Sequence, residues 1–152
     1  MYSSKKKSNA AYEATYGYNY EEKDLIGLIT VGLWDLGGKE SIRPLWPSFY
    51  RNVVYTAVIF MIDANDEARL LEARRELHFL VNEEELREWI FLIALNLKNS
   101  KGGGNLDVDS NPEAHKKSIE SKLHIENLHT SLTWKVFMFD ISAMDDDYNA
   151  AL

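Results

Sequence analysis

The stretch "LWDLGGKESIRPLW", Leu33 to Trp46, closes an apolar run and opens onto a pair of glycines. The run, 25–34, is short, mostly apolar and carries β-branched and aromatic members, which predicts a buried parallel strand. Asp35 then stands at the strand's end, followed by Gly37-Gly38, a pair free of side-chain constraint on the backbone. Gly38-Lys39 also match the last positions of a phosphate-cradling loop, G-x-x-x-x-G-K-[ST]. In such a loop backbone N–H groups, a lysine and a hydroxyl hold phosphates and a divalent cation. The spacing fails, because the residue five before Gly38 is Leu33 and Lys39 is followed by Glu40.

Outward from this stretch, three more apolar runs read as buried parallel strands: 57–63, 89–96 and 134–141. Helical patterns lie between them. From Asn65, a candidate N-cap, Leu70, Ala73, Leu77 and Leu80 recur at helical spacing with Glu and Arg on the outer face. In "SNPE", Asn111 suits a cap and Pro112 a first helical turn, with Ile119 and Leu123 on the inner face. Strands alternating with helices predict an α/β fold, a mostly parallel sheet flanked by helices, with ligands at the carboxyl ends of the strands. Residues 1 to about 24 are polar and tyrosine-rich without apolar periodicity, and 1–14 are expected to be a disordered tail. The glycine-rich segment 100–111 is expected to be a flexible surface insertion in a domain spanning 15–152.

The 152 residues suffice for one domain with a hydrophobic core. A formal net charge of −7 argues against a general nucleic-acid binder, since nothing basic and extensive neutralises phosphates. Lys5-Lys6-Lys7 read as a solvated tail, and three lysines alone give only weak attraction to an anionic membrane. The absence of cysteine excludes disulfides, zinc–thiolate sites and thiol nucleophiles. There is no apolar run of bilayer length, and with Tyr2 in place of Gly no N-myristoylation is expected. A cytoplasmic protein is expected.

Two weaker signals resolve quickly. Asp107, Asp109 and Asn111 have the opening spacing of a calcium loop, but Pro112 replaces its glycine and Ser118 its bidentate glutamate. His78, His115, His124 and His129 show no paired ligand spacing and read as surface or partly buried residues.

"WDLGGKESIRPLWPSFYRN" resembles the switch II segment of the Arf (ADP-ribosylation factor) family of small GTPases, whose pattern is W-D-x-G-G-Q…I-R-x-L-W…Y…N. "VIFMIDANDEARLLEARREL" is similar to that family's next strand and helix, and "NEEELREWIFLIALNLKN" to the stretch entering its guanine-reading motif. "TYGYN", 15–19, resembles the end of switch I, T-I-G-F-N. The likeness spans roughly 15–141. It implies a partial Ras-like (P-loop GTPase) fold whose first strand and phosphate loop are missing.

The resemblance implies GTP or GDP and Mg²⁺ as ligands. Thr15 and Asp35 would serve the metal; Gly38, Asn96, Asn99, Ser142 and Ala143 would serve the nucleotide. It implies as well that Lys39 occupies the position of the water-orienting glutamine. Lysine donates but cannot accept, so hydrolysis by the family mechanism is not expected and no catalytic residue is assigned. Asn96-Leu97-Lys98-Asn99 stands where the family has N-K-x-D. Asn99 offers one carbonyl where the aspartate offers two acceptors, so guanine discrimination should fall steeply.

Tyr18, Trp34 and Phe49 match the three aromatics on which the family's effectors and exchange factors dock; filling core is the equal alternative. The family's sheet would place its first strand between 25–34 and 57–63. Without it, two exposed sheet edges invite self-association. The favoured expectation is an Arf-like protein-interaction module with guanine-nucleotide binding weakened or lost, cytoplasmic and peripheral on endomembranes. The alternatives are a genuine GTP-binding regulator of vesicle traffic whose first segment is absent from the sequence, and a decaying copy without function.

Overall fold

A computed structural model describes residues 14–25, 29–51, 57–97, 111–129 and 132–139. They fall into two compact units, divided between Val53 and Val54.

The first unit is an antiparallel ribbon followed by a short helix. β1 (Tyr18–Leu25) pairs with β2 (Ile29–Leu36), with Tyr18 opposite Leu36, Tyr20 opposite Trp34 and Leu25 opposite Ile29. A single 3-10 turn, Arg43–Leu45, then leads into α1 (Trp46–Tyr50). Each has a proline in its first turn, where the missing N–H costs nothing. This corrects the expected buried parallel strand at 25–34. Leu25 belongs to β1, the pairing is antiparallel, and β2 is mostly exposed. A parallel partner needs a crossover of about a dozen residues, and the connection from Leu25 to Ile29 is far too short. β1 itself lies almost wholly in the segment without apolar periodicity. Its sequence, YNYEEKDL, lacks an apolar run because its aromatics are stabilised by cross-strand packing rather than by burial.

The second unit holds a parallel sheet of order β3-β4-β5: Ala57–Asp63, Ile90–Asn96 and Thr133–Phe139. Ala57 lies beside Ile90, and Ile90 beside Thr133. β4 is central, and its Phe91, Ile93, Ala94 and Leu95 are at most 1% exposed, as a strand covered on both faces requires. The expected α/β architecture with a parallel sheet and flanking helices is present. β4 begins one residue later than expected because the Trp89 amide is taken by the Leu86 carbonyl, 3.1 Å away, in the preceding turn. β5 begins one residue earlier than expected, and 140–141 lie outside the described residues.

α2 (Leu70–Val81) packs against β3 and against α3 (Pro112–Leu123), with Leu70, Leu77, Leu80 and Val81 buried. Its entry is capped by Asp66 rather than Asn65. A 3-10 turn, Glu67–Arg69, precedes the helix, and Asp66 accepts from the Arg69 amide at 3.3 Å. The Asn111 side chain caps α3 as expected, accepting from the Ala114 amide at 3.0 Å, and Ile119 and Leu123 are buried. α3 ends on His124, whose φ of 53° lies in the left-handed region. His78 Nε2 donates to the Leu123 carbonyl at 2.9 Å and ties the two helices. Of the expected tail 1–14, residues 1–13 lie outside the described residues, and of the expected insertion 100–111, residues 100–110 do.

Candidate functional site

β2 delivers Asp35 to the end of the ribbon, and β1 places Asn19 directly opposite it. Asp35 Oδ2 accepts two hydrogen bonds, from Thr15 Oγ1 and from Asn19 Nδ2, each 3.1 Å. The two residues expected to serve a metal are therefore neighbours. Both offer hard oxygen atoms, which suits Mg²⁺, a cation that keeps several waters and takes few protein ligands. Among the described residues no group of three or more His, Cys, Asp or Glu stands ready for a metal.

The ribbon continues past its last ladder pair. The Gly37 amide donates to the Gly17 carbonyl at 2.9 Å, and Gly17 has a φ of +83° that favours glycine. A Cβ on buried Gly37 would lie 2.5 Å from the Thr15 carbonyl oxygen, so glycine is required there by close approach. Trp46 Nε1 donates to the Gly37 carbonyl at 3.0 Å and Arg43 Nε to the Gly38 carbonyl at 2.9 Å. The glycine pair is thus anchored to Thr15–Gly17 on one side and to the 3-10 turn and α1 on the other. Gly38 is exposed, and a Cβ there would meet open space.

Lys39 turns toward Tyr16. Its Nζ donates to the Tyr16 hydroxyl at 3.0 Å and lies 4.1 Å from the ring centroid. The hydrogen bond, aided by the positive charge, holds the Tyr16 phenol below its ordinary pKa.

Tyr18, Trp34 and Phe49 come together. Ring centroids are 5.3 Å apart for Tyr18–Trp34, 5.2 Å for Tyr18–Phe49 and 5.9 Å for Trp34–Phe49. Tyr20 joins them, 4.8 Å from Trp34. All four contacts are tilted or edge-on, the geometry that ring quadrupoles favour. Tyr18 is 53%, Tyr20 49% and Trp34 38% exposed, while Phe49 is half-buried. Gly32 makes room for Tyr20, since a Cβ there would lie 2.9 Å from its hydroxyl. That hydroxyl donates to Glu22 at 2.9 Å, which raises the Tyr20 pKa.

In the second unit Asn96 ends β4, half-buried, and its carbonyl accepts from the Ala64 amide at 3.0 Å. Asn99, Ser142 and Ala143 lie outside the described residues. Three participants escaped the sequence reading: Tyr16 on Lys39, Asn19 on Asp35 and Tyr20 on Trp34. The alternation of Tyr16, Tyr18 and Tyr20 at a period of two was the available signal for a strand face.

The family model for the ADP-ribosylation factor family matches residues 1–151. The chain belongs to the Arf family. Among solved structures, the Arl6 (BBS3) small GTPase of Trypanosoma brucei, with bound nucleotide analogue GppNp, is similar in fold. Identity is 22%, the match covers 95% of this chain and 86% of that one, and the TM-score is 0.67. Arf-family GTPases bind GTP or GDP with Mg²⁺ and engage effectors and exchange factors. In this Arf-family chain no helix of the described residues is long and apolar enough to cross a membrane.

Proposed function

We propose that this Arf-family chain, with 15–152 as its domain, acts as a protein-interaction module docking effectors or exchange factors on Tyr18, Trp34 and Phe49. Guanine-nucleotide binding is weak or lost. The observation that carries the reading is the convergence of three aromatics from β1, β2 and α1 into one cluster with exposed faces. Rigid aromatics with solvent-facing area are the side chains that most often dominate binding energy. Two substitutions weigh against nucleotide chemistry. Lys39 cannot accept the hydrogen bond that orients an attacking water, and its ammonium is engaged by Tyr16. Asn99 supplies one carbonyl where guanine recognition takes a carboxylate. Such a module would act in the cytoplasm, peripherally on endomembranes.

A second reading, a GTP-binding regulator of vesicle traffic, is favoured by the Thr15–Asp35 contact of 3.1 Å. Mg²⁺, when bound, would neutralise phosphate charge. Thr15 and Asp35 would be the protein oxygens that hold it, with Asn19 orienting the Asp35 carboxylate.

Two measurements on the purified chain separate the readings: Mg²⁺-dependent binding of a fluorescent GTP analogue, and affinity for purified Arf effector and exchange-factor domains. The interaction module predicts no nucleotide binding in the micromolar range. It also predicts that Trp34→Ala or Phe49→Ala weakens an effector by about tenfold or more. Micromolar GTP binding, or effector affinity indifferent to both variants, overturns it.

A further inference from the structure

One face of the ribbon is aromatic at one end and acidic at the other. Side chains alternate along a strand, so Tyr18, Tyr20, Glu22 and Asp24 of β1 share a face. The register sets Trp34 opposite Tyr20 and Gly32 opposite Glu22 on that same face. No lysine or arginine stands among its positions. Glu22 and Asp24 are exposed, Glu22 accepting from the Tyr20 hydroxyl and Asp24 from the Thr30 hydroxyl at 2.7 Å. At the aromatic end the rings are splayed rather than stacked flat, with interplanar angles of 38° for Tyr18–Trp34 and 47° for Tyr20–Trp34. Among the described residues the Tyr18 hydroxyl and the Trp34 Nε1–H donate to no protein group, and both side chains are exposed.

We propose that this face binds a proline-rich segment of a partner protein in the polyproline II conformation, with a basic residue on its flank. The inference rests on the docking reading of the aromatic cluster and adds the chemistry of the occupant. A polyproline II chain makes no internal hydrogen bonds and its prolines have no N–H, so it presents carbonyls in need of donors. The face answers with two, the phenol of Tyr18 and the indole of Trp34. Proline rings are apolar and already rigid, so they settle against splayed aromatic rings at little entropic cost. A helical partner lacks this match, because its carbonyls are bonded within the helix. Charge complementarity sets the flank. Asp24 lies four positions along β1 from Tyr20, roughly 13 Å at a rise of ~3.3 Å per residue. A polyproline II chain covers that span in about four residues. An arginine or lysine about four positions from the proline packed on Trp34 then meets Glu22 and Asp24.

Isothermal titration of the full chain with a short polyproline peptide ending in an arginine pair should give saturable binding. The same peptide ending in a glutamate pair should bind at least about tenfold more weakly. Added salt should narrow that difference, since the charges involved are exposed. Tyr18→Phe keeps the ring and loses the hydroxyl, and it should weaken binding about threefold or more; Trp34→Phe, which loses the N–H, should do the same. Matching circular dichroism shows that both variants are folded. A helical peptide of equal length and charge should not compete. Absence of saturation, equal affinity for the arginine and glutamate ends, affinity untouched by both phenylalanine variants, or displacement by the helical peptide overturns the proposal. Effector domains that bind through Trp34 while polyproline does not would remove this occupant and leave the docking reading standing. Polyproline binding beside effector affinity indifferent to Trp34→Ala would do the reverse.

Discussion

Lys39 is the residue at which family resemblance and local chemistry part most clearly. A lysine at the position matched by resemblance to a water-orienting glutamine could have pointed into solvent; instead its ammonium rests on Tyr16, 3.0 Å from the hydroxyl. The contact favours the phenolate, so the Tyr16 pKa is lowered in the folded chain. The linkage has a definite sign. The resulting stabilisation is present above the unfolded phenol value of about 10 and disappears as pH falls through the lowered folded value. Ultraviolet titration of the tyrosines should resolve one early-titrating phenol, and Lys39→Gln should move it back upward. Tyr20, donating to Glu22, should titrate late and be unaffected by that substitution. The Tyr16 behaviour is not visible in sequence, because Lys39 and Tyr16 are 23 positions apart and nothing local announces their contact.

At the level of elements, the features legible in sequence were those whose chemistry is local. Asn111 caps α3 because its side chain reaches an amide three residues on, a geometry that any such sequence can adopt. Leu70, Leu77 and Leu80 declare their buried face by spacing alone. β1 stayed hidden because its stability is cross-strand: Tyr20 packs on Trp34, which is remote in sequence. The cap of α2 moved from Asn65 to Asp66 because a 3-10 turn intervenes, a shift of one residue that patterns of apolar side chains do not report. The metal and aromatic residues were assigned from resemblance rather than from physics, and only the fold gives them distances. The other end of α3 carries a prediction. His124 is held at φ 53°, a conformation that costs a residue with a Cβ about 1–2 kcal/mol. His124→Gly should stabilise the chain by about 1 kcal/mol in urea unfolding, as is usual for glycine just past a helix.

For the whole molecule, the two units make different demands. The parallel sheet has a core of its own, with Leu77, Phe91, Ile93, Leu95 and Leu123 essentially inaccessible to water. Among the described residues the first unit has Gly37 and Tyr50 as its buried residues, and its strands pair with each other. An isolated pair of strands is marginal in water at best. The exposed aromatic face is therefore carried by the part of the chain with the least support from its own interior. Under the proposed docking role, a partner on Tyr18, Trp34 and Phe49 would add apolar cover to faces that are exposed or half-buried in the free chain. Calorimetry should then show a heat-capacity decrease on binding that exceeds the value for rigid docking over the same contact area. Amide exchange in β1 and β2 should slow on complex formation while β4 is unchanged. On the proposed reading, recognition on that face would be partly an act of folding, and selectivity among partners would follow from how well each one completes the ribbon.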